Sequence, residues 1–295
     1  MVNSVPVVDL NENLLLGVLS GKNYRSFQSQ FEIVTLFHNQ VLDGEEAAAG
    51  DDYVYFPLDA VVSLVSTMRE AKAVELAMVG REGLTGIYRA LGIETGGHRG
   101  VVTVPGKAVR VKIDLLREQL QRNAVLSALL MRYFHALHVQ IVQAALCYRL
   151  HLITERLKTW LTMMFNRVQA GSLRLKQEEI ARTLGYTRPT ISRATAQLQQ
   201  LEIIRYSRGR IELLDRPRLE QSNCECYRIM ESNYERVLPI AGGESFVLKT
   251  ITGENLSECA NACSQQLDAT VKRIREICRM NEAIYLRQRE IINRR

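Results

Sequence analysis

The residues best suited to chemistry lie together between Gln177 and Asp215. Arg188, Ser192 and Arg193 stand near the start of a helical pattern and would face away from its apolar side. A helix N-terminus in the major groove presents such residues to base edges, and arginine can donate two hydrogen bonds to guanine. The stretch therefore predicts sequence-specific DNA binding. The predicted contact residues are Gln177, Thr187, Arg188, Thr190, Ser192, Arg193, Arg208 and Arg210.

Two short helices joined by a tight turn would position these residues. Ala181 is small where the helices would cross, and Gly185 can take the left-handed conformation that ends the first helix. Thr187 is placed to cap the second helix, and Pro189 fits its first turn. The pattern predicts a helix-turn-helix, with a purely structural helical hairpin as the alternative. The shared apolar core would consist of Ile180, Leu184, Ile191, Ala194, Leu198 and Leu201.

A strand–turn–strand pattern follows, with Ser207-Arg208-Gly209-Arg210 at the turn. Arg208 and Arg210 would meet phosphates, which add salt-sensitive affinity, whereas a solvated turn is the alternative. Charge alone favours neither interpretation, because a basic segment can also be a solvated face. Residues 151–220 hold 13 Lys/Arg against 7 Asp/Glu, whereas residues 1–150 hold 14 against 15. A basic segment behind a nearly neutral one fits a polyanion-binding module joined to a sensing or scaffolding one equally well.

Residues 53–113 carry the signals of short strands separated by glycine turns. Val74, Leu76 and Met78 alternate with Ala73, Glu75 and Ala77, which places Glu75 opposite the larger apolar side chains. Val109, Val111 and Ile113 alternate with Arg110 and Lys112, which would point outward. The pattern predicts a small antiparallel roll or barrel, and with the helices that follow it predicts an α+β fold.

Helical signals begin at Asp114, which we expect to be an N-cap. A long helix is predicted over about Ala124–Tyr148, and a second over about Thr154–Val168. The seam of the long helix would pair two chains, although a helix that covers the roll would show the same pattern. The seam residues are Leu126, Leu130, Tyr133, Leu137, Ile141, Ala144 and Tyr148.

Four segments follow from these patterns. They are a β-roll over 15–122, a long dimerisation helix and hinge over 123–153, a winged helix-turn-helix over 154–220, and a cysteine-containing linker with a helical tail over 221–295.

The run from Gln177 to Asp215 resembles the DNA-binding domain of the Crp/Fnr (cyclic-AMP receptor protein) superfamily of bacterial regulators, and the element order matches over about residues 15–220. The resemblance implies a cyclic-nucleotide-binding-like effector roll and a homodimer formed through the long helix. It implies two recognition helices on a pseudo-palindromic operator, a hinge near His151–Thr154, and RNA polymerase as a candidate partner.

Three departures qualify what the resemblance implies. The turn at Gly83-Leu84-Thr85-Gly86-Ile87 lacks the glutamate of cyclic-AMP-binding members, and Arg99 alone remains as a candidate effector ligand for a phosphate. Pro189 replaces a glutamate that reads a base, so a different operator is expected. No cysteine precedes Cys147, so the N-terminal iron–sulfur mechanism does not transfer. The effector is therefore left unknown, and the pattern weighs against a cyclic nucleotide.

The cysteines offer a second hypothesis. Cys224 and Cys226 together with Cys259 and Cys263 could supply four thiolates to zinc or an iron–sulfur cluster. Their spacing through an apparent linker weighs against zinc and against an iron–sulfur cluster. Buried cysteine is also commonly just a small hydrophobic residue. The alternative function is a redox- or metal-sensing interaction module that acts through these cysteines.

The sequence lacks the motifs typical of exported, membrane-spanning or enzymatic proteins. The N-terminal residues lack a signal-peptide pattern, no continuous apolar run suggests a membrane span, and six cysteines are few for a disulfide scaffold. A cytoplasmic protein is expected. Phosphate-binding glycine loops, nucleophile elbows and metalloprotease motifs are also missing from the sequence, so we do not predict an enzyme; a cupin-like metal enzyme would need a His/Glu cluster.

Overall fold

The computed structural model describes residues 10–18, 25–43, 52–67, 73–93, 97–168 and 170–238. A 3₁₀ turn spans Leu10–Glu12. The strands are β1 (Glu32–Leu36), β2 (Val41–Asp43), β3 (Tyr53–Pro57), β4 (Val61–Thr67), β5 (Ala73–Val79), β6 (Arg99–Val104), β7 (Gly106–Lys112), β8 (Ser172–Arg174), β9 (Ile204–Ser207) and β10 (Arg210–Leu213). The helices are α1 (Leu14–Val18), α2 (Arg25–Gln28), α3 (Ile87–Ala90), α4 (Ile113–Arg122), α5 (Ala124–Leu150), α6 (Ile153–Val168), α7 (Gln177–Leu184), α8 (Arg188–Gln200), α9 (Arg216–Gln221) and α10 (Glu225–Val237).

Two antiparallel sheets form the N-terminal roll, with strand orders β1-β7-β3 and β2-β6-β4-β5. Alternation in β7 buries Val109 and Val111 and turns Lys112 to solvent, as the sequence predicts. The α+β class and the order of roll, long helix and helix-turn-helix are confirmed. In β5 the alternation misleads, because Glu75 is buried beside Ala77 and Met78. Both faces of this strand are covered, one of them by helices from later in the chain.

The long helix α5 extends two residues beyond the predicted end. Its seam side chains Leu126, Leu130, Tyr133 and Leu137 pack into the core of the roll in the same chain. The reading of this seam as a chain-pairing surface is therefore wrong, because its apolar side chains already cover the roll. The Tyr133 hydroxyl also donates to the carbonyl oxygen of Leu84 at 2.8 Å. Helix α4 begins at Ile113 with Lys112 at the cap position, so Asp114 lies in the first turn instead of capping it.

By length and composition alone, α5 could cross a membrane. Its apolar residues have another explanation, since the helix packs on the roll along one side and on α10 along another. A helix buried in a protein core can be equally long and apolar, so length and composition alone do not indicate a membrane span.

The segment after the winged domain also differs from prediction. Helix α10 occupies residues that the sequence pattern marks as a linker, and it packs along α5. Cys226 and Met230 on α10 are buried in the core that also holds the helix-turn-helix. The glycine and proline signals that suggested a linker begin at Pro239, beyond the described residues. The four predicted domain boundaries stay predictions.

Candidate nucleic-acid interface

Helices α7 and α8 form the predicted pair around a small apolar core. Ile180, Leu184, Ile191, Ala194 and Leu198 are all buried. Leu201 is the exception, with 41% of its surface exposed, because α8 ends at Gln200 and the chain turns away at Glu202 with φ near +56°. Gly185 ends α7 in the left-handed region at φ 69°, as predicted, and Pro189 lies in the first turn of α8.

The start of α8 is held by contacts that differ in part from expectation. Thr187 occupies the cap position, but its hydroxyl pairs with the Thr190 hydroxyl at 2.9 Å and not with a backbone amide.

The start of α7 is fixed by Glu179, whose carboxylate accepts a hydrogen bond from the Lys176 amide at 2.7 Å. Partial burial would raise the pKa of Glu179, but hydrogen bonds from Lys176 and His38 outweigh it and lower the pKa.

The predicted contact residues of the helix pair lie on one open surface. Thr187, Arg188, Ser192 and Arg193 are exposed, while Gln177 and Thr190 are half-buried. The Arg188 guanidinium lies 3.3 Å from the Glu178 carboxylate in an ion pair in which both side chains are about two-thirds exposed (65% and 60%). Such a surface pair contributes about 0–1 kcal/mol. Arg188 can therefore exchange this partner for another anion at low cost.

The wing is a three-stranded sheet in the order β8-β10-β9, one strand more than the sequence pattern showed. Arg208 and Gly209 both have positive φ, which makes the two-residue turn suited to a hairpin. Arg210 pairs in register with Ser207 on one side and with Arg174 on the other. The structure thereby brings together exposed Arg174, Arg208 and Arg210. The short alternating run at 172–175 was the signal that could have identified Arg174.

Buried polar contacts attach α6, the helix that leads to the helix pair, to the roll. The Arg167 guanidinium of α6 bonds the Glu82 carboxylate at 2.8 Å, and both side chains are nearly inaccessible to solvent. Gly80 allows this approach, because a Cβ there would lie 2.7 Å from Arg167 side-chain atoms. Gln140 of α5 accepts hydrogen bonds from Arg167 at 3.4 Å and from the Tyr234 hydroxyl at 2.8 Å.

A second attachment centres on Glu75 of β5. Its carboxylate accepts a hydrogen bond from the Trp160 indole at 2.8 Å and another from the Ser63 hydroxyl. Burial raises the pKa of Glu75 to about 7, although both hydrogen bonds and the nearby charge of Arg167 lower it. Glu75 and Trp160 also line a cavity of about 60 Å³, which is large enough for water but not for a nucleotide.

A third contact set holds the turn between α7 and α8. The Arg156 guanidinium lies 3.2 Å from the centre of the Tyr148 ring and 4.8 Å from that of Tyr186. The Tyr148 hydroxyl donates to the Leu184 carbonyl oxygen, and His38 of the roll bonds Glu179 at 2.9 Å. The helix pair is thus oriented by residues from the roll, the long helix α5 and the helix α6.

The other predicted site residues fall in two places. Arg99 begins β6 and is half-buried, and the amide of the next residue, Gly100, donates to the buried carboxylate of Asp43. Cys224 and Cys226 lie beside Cys147 and His151, which the sequence argument did not include. Cys259 and Cys263 lie outside the described residues.

Comparison with known proteins identifies the segment that contains α6, the helix pair and the wing. A family model described as the Crp-like helix-turn-helix domain matches residues 155–222. This segment is a Crp-like helix-turn-helix domain. Together with the roll and α5, it gives the chain the order of elements that the resemblance to the Crp/Fnr superfamily predicts. No curated protein matches the sequence.

Solved structures show the same fold at low sequence identity. FixK2 from Bradyrhizobium japonicum is 20% identical, with 66% of this chain and 98% of that chain covered and a TM-score of 0.50. A mutant of CooA from Carboxydothermus hydrogenoformans is 18% identical, covering 71% and 94%, with a TM-score of 0.51. A structure described as a Crp/Fnr-family transcriptional regulator from Eubacterium rectale is 13% identical, covering 72% and 98%, with a TM-score of 0.55.

Proposed function

We propose that this protein is a cytoplasmic, sequence-specific DNA-binding regulator of transcription that binds as a homodimer. The observation that carries the proposal is the exposed row of Arg188, Ser192 and Arg193 at the start of α8, backed by a buried core that holds their backbone in place. Arginines near a helix N-terminus suit guanine O6 and N7 in the major groove.

The wing supplies the complementary part of the interface. Arg174, Arg208 and Arg210 are exposed on adjacent strands and suit phosphates, which orient a protein on DNA without choosing a sequence. No reaction is proposed for this surface, because an array of arginines and hydroxyls on an open face binds polyanions without enclosing a substrate.

The homodimer is supported by a face of α5 different from the one that the sequence pattern pointed to. Met131, His138, Val142 and Ala145 follow one another at intervals of seven, four and three residues, as in a helix-pairing seam. Met131 is 51% exposed, Ala145 is exposed, and His138 and Val142 are half-buried, so this face is not fully covered within the chain. Two chains paired here would present two α8 helices to a symmetric operator, and RNA polymerase is a further candidate partner.

Control is proposed to come from an effector that acts on the roll. Any shift of β5 moves Glu75 and therefore Trp160, and any shift near Gly80 moves Glu82 and therefore Arg167. Both partners lie on α6, the first helix of the DNA-binding domain. The turn at Gly83–Ile87 lacks the glutamate of cyclic-AMP-binding members of the Crp/Fnr superfamily, which weighs against a cyclic nucleotide as that effector.

The proposal is tested by selection from a pool of randomised DNA duplexes with the purified full chain at one fixed salt concentration. We expect enrichment of a two-fold-symmetric motif whose half-sites lie about 10 base pairs apart, one turn of the double helix. Enrichment of an unsymmetric single half-site would refute the dimer. A pool that stays random after repeated rounds would refute sequence-specific binding.

A further inference from the structure

A cluster of four metal-ligating side chains lies where α5, the hinge and α10 meet. The sulfur atoms of Cys147, Cys224 and Cys226 and a ring nitrogen of His151 all lie within 4.8 Å of one another. Cys147 and His151 are four residues apart at the end of α5, so both side chains leave the same face. Cys224 occupies the cap position of α10, and Cys226 lies in its first turn.

The distances fit a tetrahedral metal ion. Bonds of about 2.3 Å from zinc to sulfur and about 2.0 Å to nitrogen place two sulfurs about 3.8 Å apart and a sulfur and a nitrogen about 3.5 Å apart. The Cys147 and Cys224 sulfurs are 3.8 Å apart, and the Cys226 sulfur lies 3.5 Å from Nδ1 of His151. We propose that Cys147, His151, Cys224 and Cys226 bind one zinc ion.

A hydroxyl group and a backbone amide hold Cys224 in the cluster. The Thr159 hydroxyl lies 3.2 Å from the Cys224 sulfur, and the Tyr227 amide donates to the Cys224 carbonyl oxygen at 3.2 Å. Cys147 and Cys226 are buried, whereas Cys224 and His151 are half-buried, so the site has one side open to a chelator.

Four protein ligands complete the coordination of zinc and leave no position for a substrate, which is typical of a structural site. The ion would join the end of α5 to α10 beside the hinge that leads into α6. Since α6 opens the DNA-binding domain, zinc would fix the direction in which that domain leaves α5. This consequence for DNA rests on the proposed function, whereas the metal site itself does not.

The first experiment measures metal in the full chain, purified with a thiol-free reductant and without oxygen, by elemental analysis. We expect about one zinc per chain. The variant Cys224→Ser/Cys226→Ser should lose it. The matched control Cys259→Ser/Cys263→Ser should keep it, because those cysteines do not belong to the proposed set. Loss of zinc in the control variant would overturn the assignment of ligands.

A second measurement covers the case in which a serine variant fails to fold. Cobalt(II) added to metal-stripped wild-type protein should give the absorption of a tetrahedral ion with three thiolate ligands, and His151→Cys should retain one metal per chain with a fourth thiolate. Wild-type protein that carries iron and sulfide, or that shows no tetrahedral cobalt spectrum with its thiols reduced, would overturn the proposal. So would a Cys147–Cys224 disulfide formed in place of metal binding. None of these readings requires DNA, so a failure here is distinguishable from a failure of the regulator proposal.

Discussion

The DNA-facing surface and the junction between the roll and α6 use the same residue types in opposite ways. On the surface, Arg188 and Arg193 are exposed, and the partner of Arg188 is a solvated carboxylate. In the junction, Arg167 is buried, and its guanidinium is held by Glu82 and Gln140. An exposed arginine stays available for a ligand and adds little stability, whereas a buried one is committed to the fold. Function and stability are therefore expected to respond to different mutations.

The largest effect is expected from Arg167→Met in the junction. The substitution keeps much of the side-chain volume but leaves the Glu82 carboxylate buried without its cation, which typically costs about 3–5 kcal/mol. Urea denaturation at neutral pH measures the free energy of unfolding. Arg122→Ala is the control, since Arg122 pairs with Glu118 on the exposed end of α4 and should cost at most about 1 kcal/mol. Equal losses in the two variants would remove the contrast between junction and surface.

A somewhat smaller effect is expected from pH at Glu75. Its pKa is raised from 4.5 to about 7 in the folded state, so between these values the folded protein holds more protons than the unfolded chain. The free energy of unfolding should therefore fall as pH rises through this window. The expected fall is about 3 kcal/mol, because one pKa unit corresponds to about 1.36 kcal/mol.

Glu75→Gln tests this origin of the pH dependence. The amide can still accept from the Trp160 indole and can donate to Ser63, but it does not titrate. Chemical denaturation from pH 4.5 to 8 should show the variant gaining stability relative to wild type as pH rises. Parallel curves for the two proteins would mean that Glu75 is solvated in the folded state.

The same contrast explains what the sequence could predict. The helix-turn-helix is a local pattern in which Ala181, Gly185 and Pro189 each have a steric reason for their positions, so its elements were predictable from adjacent residues. The third wing strand was harder, because β8 has only three residues and pairs with a strand far along the chain.

The junction could not be predicted by the same means. Trp160 and Glu75 are separated by 85 residues, as are Arg167 and Glu82, and alternation in β5 does not reveal that later helices cover its second face. The seam of α5 was recognised, but periodicity does not show whether the roll or a second chain covers it. The cysteine pairs were grouped by nearness in sequence, and the spacing of Cys147 and His151 at one helix end was the overlooked signal.

The most direct test of the central claim compares affinities for two duplexes, the motif enriched by selection and a shuffled sequence of the same composition, by fluorescence anisotropy at one salt concentration. Arg188→Ala/Arg193→Ala should lose discrimination, since each bidentate contact with a base contributes about 1–3 kcal/mol. The control Arg208→Ala/Arg210→Ala should weaken binding to both duplexes alike, because phosphate contacts carry no sequence information. If the first variant melts like wild type and still prefers the enriched motif as strongly, then α8 is not the element that reads the operator.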